Sequence, residues 1–147
     1  MNITIRTTEP KDYPAVLELI KELALFERAP EKVTNTVELM QEENHYFQSL
    51  VAEKEDGEIV GMAIYFFAYY TWVGKSLYLD DIVVKEKYRG NKIGTKLLDK
   101  VIEFGNENNC KRIRWQVLDW NTNAIEFYRK YGAKLDGEWI NCDIERN

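Results

Sequence analysis

The spacing of apolar and polar positions changes several times along the chain, and each change predicts a helix or a strand. Apolar residues with the i, i+3, i+4, i+7 spacing of one helix face predict a helix over residues 10–26. These residues are Val16, Leu19, Ile20 and Leu23. Short apolar or β-branched runs bounded by turn residues predict strands. The predicted strands are residues 3–7, 47–53, 59–70, 76–84 and 111–118, with strand-like pieces within 133–145 around the turn at Asp136-Gly137.

Three further helices are predicted from capping residues and apolar spacing. Thr34-Asn35-Thr36 can cap a short helix that runs to Met40, and a second helix covers residues 92–106. A third runs over residues 121–131 and is closed by Gly132. The resulting order, β-α-α-β-β-β-α-β-α-β, predicts an α/β (α+β) fold whose mixed, largely antiparallel central sheet is flanked by helices on both faces.

Length and composition limit the class of protein. A chain of 147 residues suits one domain with one core, so we expect a single domain over residues 1–147. Apolar residues make up 45% and charged residues 31%, which is typical of a globular protein in water. The sequence has no run of eighteen apolar residues and no signal-peptide pattern near Met1. We therefore expect a cytoplasmic protein with no membrane partner.

Cysteine, histidine and net charge narrow the candidate chemistry. Cys110 and Cys142 are interpreted as reduced thiols, since a secreted domain of this size would more often carry several disulfides. His45 is the only histidine, so we expect no metal site and no Ser-His-Asp triad. The net charge of −5 disfavours nucleic acid and favours a small cationic partner.

The turn that joins the predicted strand 76–84 to the next helix is the first candidate site. It contains Gly90 and Gly94 but matches neither the dinucleotide pattern G-x-G-x-x-G nor the P-loop. A glycine-containing turn that feeds a helix leaves backbone N–H groups pointing at one spot, where the helix dipole favours an anion. Lys87, Arg89 and Lys92 could help to neutralise a phosphate or diphosphate there. The alternative is an ordinary strand-to-helix turn with solvated basic residues.

The segment Arg89-Gly90-Asn91-Lys92-Ile93-Gly94 resembles the R/Q-x-x-G-x-G/A signature of the GNAT family of N-acetyltransferases, whose loop binds the coenzyme A diphosphate. Lys92 stands where the signature has its first glycine, and a positive φ there would cost a lysine roughly 1–2 kcal/mol. Further segments are similar to the diamine (spermidine/spermine) acetyltransferase branch and span nearly the whole chain in order. They are Arg6, Ile20-Lys21-Glu22-Leu23-Ala24, Trp72-Val73-Gly74-Lys75, Leu77-Tyr78-Leu79-Asp80-Asp81, Tyr88-Arg89-Gly90, Trp120-Asn121 and Phe127-Tyr128.

The resemblance implies acetyl-CoA as the acetyl donor and indicates the residues that bind it. The strand carrying Ile82, Val83 and Val84 is expected to offer backbone N–H groups to the thioester carbonyl, where such donors are typically worth about 3–4 kcal/mol each. The full expected set is Ile82, Val83, Val84, Arg89, Gly90, Asn91, Lys92, Ile93, Gly94, Thr95, Asn121, Ala124 and Lys130. Asn121 is also a suitable helix N-cap, and the two roles are compatible.

Two residues are implied as catalytic. Tyr128 matches the family's general acid, which gives a proton to the departing thiolate. Its alternative role is packing, because Ala124, Phe127, Tyr128 and Tyr131 share one helix face by spacing. Asp80 matches an acidic position that contacts the substrate and can accept a proton from the amine through water.

Acidic and aromatic residues are implied for amine binding. Because adjacent residues of a regular strand point to opposite faces, we expect at most one of Asp80 and Asp81 to enter a given pocket. Aromatic faces suit a cation, and carboxylates neutralise it. The expected substrate-binding set is Phe26, Glu27, Trp72, Asp80, Asp81, Glu138 and Trp139.

The resemblance therefore implies an acetyl-CoA-dependent N-acetyltransferase that acts on a primary amine of a small cationic substrate, and a homodimer. Polyamines, diamines and lysine-like amino acids such as thialysine all remain open as substrates. An acetyltransferase for protein N-termini or lysines is one alternative. A non-catalytic sensor of acyl-CoA or polyamine is an alternative from another class.

Overall fold

Five strands pair into one sheet in the order in which they occur along the chain, in a computed structural model that describes residues 1–146. They are β1 (Ile3–Thr7), β2 (Gln48–Lys54), β3 (Ile59–Tyr70), β4 (Gly74–Val84) and β5 (Ile113–Arg114). The first three pairings are antiparallel, and β5 runs parallel to β4. The predicted mixed, largely antiparallel sheet is confirmed.

Two of the four helices cover opposite faces of this sheet. The helices are α1 (Tyr13–Phe26), α2 (Val37–Glu42), α3 (Ile93–Glu107) and α4 (Thr122–Arg129). Tyr13 and Val16 of α1 pack in one core cluster with Met62 and Val83 of the sheet. On the other face, a Cβ at Gly61 would lie 3.2 Å from Leu97 Cδ1, so glycine lets α3 approach β3 closely. Helices flank both faces, as predicted.

The chain divides into two compact units, residues 1–116 and the part that begins at Val117. The first unit contains the sheet with α1, α2 and α3, and the second contains α4. The expected single domain stays a prediction. Across residues 1–146, every helix is too short or too polar to cross a bilayer, and His, Cys, Asp and Glu side chains form no group suited to a metal ion.

The strand prediction fails in the last third of the chain. The segment predicted over residues 111–118 pairs only at Ile113–Arg114, and residues 133–146 contain no strand. Asp136 accepts hydrogen bonds from the Glu138 backbone N–H (3.0 Å) and the Trp139 indole N–H (2.8 Å). Such local side-chain bonds compete with strand pairing, which also needs a neighbouring edge.

An ion-paired network joins β1 and β2 to the start of α1. The Arg6 guanidinium donates to both carboxylate oxygens of Asp12, at 2.8 and 3.0 Å, and to Glu53 at 3.0 Å. The hydrogen bond from Arg6 is the main cause that lowers the pKa of Asp12. Asp12 is buried and also accepts the Glu9 N–H at 2.8 Å, so the turn before α1 is fixed to β1 and β2. Arg6 therefore has a structural role.

The outer part of the β3–β4 hairpin extends beyond its neighbours. Pairing of β2 with β3 ends at Gln48 opposite Tyr65, so Phe66–Tyr70 has only β4 beside it in the described chain. Cations lie over its rings: Lys75 Nζ is 4.9 Å from the Phe67 centroid, and the Arg114 guanidinium is 4.7 Å from that of Tyr70. These contacts cover an otherwise two-stranded ribbon.

Candidate active site

The carboxyl-terminal half of β4 contains a β-bulge. Leu79 pairs with Tyr65 on β3 and Asp81 pairs with Ile64, so Asp80 has no residue opposite it. An extra residue in one strand interrupts the regular alternation of side chains between the two faces of the sheet.

The bulge brings Asp80 and Asp81 to the same face of the sheet. Tyr78 lies opposite Phe66, with ring centroids 5.4 Å apart, and Asp80 follows Tyr78 by two residues on the same face. Asp81 lies opposite Ile64, which shares the Phe66 face of β3 and packs in the cluster under α1. The prediction that only one of the two aspartates could enter a pocket is wrong, because it assumed an unbroken strand.

Glu27, at the end of α1, completes a group of three carboxylates. Burial, followed by the charges of Asp80 and Glu27, raises the pKa of Asp81 to about 7. Burial and the Asp80 charge also raise the pKa of Glu27. Asp80 keeps contact with solvent, yet the surrounding protein excludes enough water to raise the pKa of its carboxyl. Carboxylates that raise one another's pKa values are stabilised by a cation that neutralises them.

Aromatic residues are divided between this carboxylate group and the far end of the hairpin. Tyr78 lies beside the group, and burial, with the charge of Asp80, raises the pKa of its hydroxyl. Phe26 ends α1 next to Glu27 and is 45% exposed. Trp72 lies in the turn between β3 and β4, about 20 Å along β4 from Asp80 at the rise of an extended strand, and is 84% exposed. The structure does not bring Trp72 to the carboxylates.

Beyond Tyr78, one edge of β4 has no neighbouring strand in the described chain. β5 pairs with β4 only at Leu77 and Tyr78, whereas Ile82, Val83 and Val84 pair with β3 on the other side. The Lys85 N–H donates to the Val60 carbonyl oxygen of β3 at 2.9 Å. Because backbone groups alternate along a strand, those of Val83 also point to β3, and those of Ile82 and Val84 point to the open edge.

The turn before α3 has the features of an anion site. Lys92 adopts a left-handed conformation (φ 61°) and no side chain caps the start of α3, where Ile93, Gly94 and Thr95 form the first turn. A Cβ at Gly94 would meet only Val84 Cγ2, at 3.8 Å, so packing within the described chain does not require glycine there. The uncapped N–H groups and the space at Gly94 fit a diphosphate approaching the helix from outside.

Side-chain bonds shape this turn. Arg89 donates from Nε to the Val84 carbonyl oxygen at 3.3 Å, and Asn91 donates from Nδ2 to the Tyr88 carbonyl oxygen at 2.9 Å. Gly90 has φ 86°, which favours glycine. Lys87 Nζ lies 3.9 Å from a carboxylate oxygen of Glu58, so it is not wholly available to an anion at the turn.

Sequence reasoning missed one partner of this turn. The Tyr88 hydroxyl donates to Glu58 Oε1 at 2.7 Å, across thirty positions of the chain. Glu58 lies in the β2–β3 turn, where the sequence alone would indicate an ordinary solvated glutamate. The only signal in the sequence was the tyrosine directly before Arg89-Gly90.

The remaining predicted residues belong to the second unit. The Asn121 side chain accepts the Ala124 N–H at 3.3 Å and caps α4, as expected. Tyr128 is buried, with its ring 5.4 Å from that of Phe127, and Lys130 follows the end of α4. Glu138 and Trp139, which form the turn with Asp136, lie outside any helix or strand. Their roles in binding and catalysis stay predictions.

Comparisons with known proteins identify the family. The Acetyltransferase (GNAT) family profile matches residues 13–133. The chain is 38% identical over 144 residues to a thialysine N-epsilon-acetyltransferase from Sus scrofa, covering 90% of this chain and 85% of that protein. It is 33% identical over 100 residues to a spermine/spermidine N(1)-acetyltransferase from Bacillus subtilis, covering 65% of each. The chain belongs to the acetyltransferase (GNAT) family, and the predicted resemblance to the diamine branch is confirmed.

A solved structure supports the fold. A transcriptional regulator from Bacillus halodurans superposes with a TM-score of 0.80 at 22% identity, covering 97% of this chain and 100% of that one.

Members of the GNAT family generally use acetyl-CoA as the acetyl donor. The class of enzyme is therefore an N-acetyltransferase.

Proposed function

We propose that the protein transfers an acetyl group from acetyl-CoA to a primary amine of a small cationic substrate, such as a polyamine, a diamine or a lysine-like amino acid. The observation that carries the proposal is the group formed by Glu27, Asp80 and Asp81, whose carboxylates lie together on the α1 face of the sheet. The relatives named for thialysine and for spermine/spermidine support the same substrate class.

Acetyl-CoA supplies an acetyl group activated as a thioester. In the proposed complex, the uncapped start of α3 and the turn with Arg89 and Lys92 bind the diphosphate. The open edge of β4 orients the acyl arm, and the backbone N–H groups of Ile82 and Val84 stabilise the developing oxyanion, with Val83 as a further proposed contact. Asn121, Ala124 and Lys130 are further proposed contacts of acetyl-CoA.

The carboxylates bind the amine and help to deprotonate it. An alkylammonium with a pKa near 10.4 is neutral in roughly one molecule in a few thousand at about pH 7, so the reaction needs a proton acceptor. Asp80 keeps contact with solvent and is the proposed acceptor through water. Asp81 and Glu27 hold the cation, with Phe26, Glu138 and Trp139 as further proposed contacts.

Tyr128 is the proposed proton donor to the departing sulfur. Transfer from a phenol of pKa about 10 to a thiolate of pKa about 8.5 is uphill by roughly 2 kcal/mol at reference values. This cost is small beside the barrier of an acyl transfer, so the hydroxyl can donate while the carbon–sulfur bond breaks.

We further propose a cytoplasmic homodimer. Trp139, Ile140 and Ile144 lie close together in the sequence and are 74%, 88% and 89% exposed, and large apolar side chains this exposed suit a protein interface. Cys110 and Cys142 form no disulfide, in keeping with a reducing compartment. Sedimentation of the purified protein measures the oligomeric state directly.

A panel of amines tests the function. Thiol release from acetyl-CoA is followed with polyamines, diamines, lysine-like amino acids, a peptide N-terminus and a peptide lysine, and rates are compared as kcat/KM. Small cationic amines should accelerate release by orders of magnitude over buffer. A preference for the peptides would favour a protein acetyltransferase. If coenzyme A binds but no amine accelerates release, the protein is a sensor and the proposal is wrong.

A further inference from the structure

A chain of hydrogen bonds links the β2–β3 turn to the start of α3. Glu58 Oε1 accepts the Tyr88 hydroxyl at 2.7 Å, and the Tyr88 carbonyl oxygen accepts Asn91 Nδ2 at 2.9 Å. Asn91 directly precedes Lys92, the left-handed residue that begins α3. Glu58 is therefore connected to the turn through two successive hydrogen bonds.

Three lysines contact the Glu58 carboxylate or the Tyr88 side chain. Lys85 donates to Glu58 Oε2 at 3.1 Å, and Lys54 donates to the Tyr88 hydroxyl at 3.1 Å and to Glu58 Oε1 at 3.4 Å. Lys54 and Lys87 also lie over the Tyr88 ring, at 5.0 and 5.1 Å from its centroid. The Tyr88 hydrogen bond and Lys85 lower the pKa of Glu58 to about 2, so the carboxylate is ionised at neutral pH.

We propose that Glu58 is a positioning residue for cofactor binding: through Tyr88 and Asn91 it holds the turn before α3 in the shape that binds the diphosphate of acetyl-CoA. This inference rests on the proposed function. Glu58 itself contacts no ligand in this scheme. It belongs to a hairpin turn outside the family's signature segment, so that segment alone does not define the binding site.

For Glu58→Gln, the proposal predicts a change in the affinity for coenzyme A opposite to the change expected from charge alone. Glu58 is an anion near a site for an anion, and neutralising it would also release three lysines. If charge alone mattered, Glu58→Gln would bind coenzyme A more tightly. If Glu58 positions the turn, Glu58→Gln binds coenzyme A more weakly, because the backbone N–H groups no longer converge.

The test compares Glu58→Gln and Tyr88→Phe with a matched control. The control is Glu55→Gln, which makes the same charge change near the same turn, at a carboxylate that accepts the Asn2 N–H (2.9 Å). Calorimetry measures the Kd of coenzyme A, and kinetics with a saturating amine give KM and kcat for acetyl-CoA. We expect Kd and KM to rise about tenfold in both test variants with kcat nearly unchanged, the usual cost of losing a residue that orients a binding group. Glu55→Gln should match the wild type.

A donor without the diphosphate separates positioning from general damage. S-acetyl-N-acetylcysteamine carries the thioester alone, so both test variants should use it as well as the wild type does. The double variant should lose no more affinity for coenzyme A than either single variant, because both act through one contact. Equal losses with both donors, or unchanged or tighter binding of coenzyme A, would overturn the proposal.

The test still decides the proposal if Glu58→Gln fails to fold or if no amine is acetylated. Tyr88→Phe keeps the ring and changes no charge, so it decides the matter if Glu58→Gln fails to fold. The calorimetric comparison needs no amine: if no amine is acetylated, the proposed function fails while the inference is still tested. A wild-type protein that does not bind coenzyme A would overturn both.

Discussion

Asp80 and Asp81 are consecutive residues of β4 and yet lie on the same face of the sheet, because the bulge at Asp80 interrupts the alternation. Together with Glu27 they form a group of carboxylates in which each charge opposes the others. This repulsion destabilises the folded protein when no cation is bound. A bound cation would relieve this repulsion, so the cost of assembling the group favours a cationic ligand.

Asp81→Asn should stabilise the fold at alkaline pH. The pKa of Asp81 is about 7 in the folded chain against 3.8 for an ordinary aspartate, so the folded state binds the proton more tightly and stability falls as pH rises from about 4 to 7. Asparagine avoids this penalty, which we expect to be roughly 2 kcal/mol after screening by solvent. Urea unfolding at about pH 8 measures the gain.

The gain should shrink as the pH is lowered toward about 3, below both pKa values, where the aspartate is mostly protonated in both states. Glu18→Gln, at an exposed position of α1 beyond its first turn, is a suitable control, since its stability should follow that of the wild type. A gain that is constant between about pH 4 and pH 8 would show that packing, not ionisation, is responsible.

The KM for the amine should fall as pH rises through 7. Asp81 must be ionised to hold a cation, and with a pKa of about 7 its charged fraction is about tenfold higher at about pH 8 than at about pH 6. Steady-state kinetics at saturating acetyl-CoA should show this change in KM. The pH dependence of this KM should be absent in Asp81→Asn. Asp80→Asn should impair recognition of the amine more than binding of coenzyme A.

Lys92→Gly should stabilise the protein. Lys92 has φ 61°, which costs a residue with a side chain roughly 1–2 kcal/mol, and glycine removes this strain at some cost in entropy. We expect a net gain of roughly 0.5–1 kcal/mol in thermal unfolding. Lys96→Gly, at an exposed position within α3, should instead lose about 1 kcal/mol. Destabilisation by both changes would contradict the explanation.

Tyr128→Phe should lower kcat at least about tenfold and leave the Kd of coenzyme A nearly unchanged, because only a proton donated in the transition state is lost. Tyr128 is buried, so the ring itself contributes to packing and is kept by phenylalanine. Phe127→Leu is the neighbouring control for packing. Parallel losses of rate, affinity and thermal stability in Tyr128→Phe would indicate a structural role.

Most of the fold could be predicted because local patterns agree with the tertiary structure. The spacing of Val16, Leu19 and Leu23 follows the face of α1 that packs on the sheet, and the long apolar run of β3 is the central strand. The strands predicted within residues 111–118 and 133–145 failed where pairing depends on a distant neighbour. β-propensity records a fit to a sheet surface and does not supply the edge on which a strand forms.

The site could be predicted only in part. The resemblance to the family indicated Asp80, Asp81 and Glu27. The residue types do not reveal the β-bulge, which changes the face of the sheet to which a side chain points. The hydrogen bond between Glu58 and Tyr88 depends on how a hairpin turn meets a loop thirty residues away. Such contacts follow from the packing of whole elements and have no local pattern.

The β3–β4 ribbon beyond Tyr65 has a mechanical consequence. Phe66–Tyr70 pairs with β4 only, so opening this stretch breaks a single ladder and the stacking of Phe67 on Phe104 of α3, and leaves the other pairings of the sheet intact. Amide hydrogens there should exchange with solvent through small local openings, whereas those of Met62 and Ala63, between two strands, should exchange only when the whole sheet unfolds.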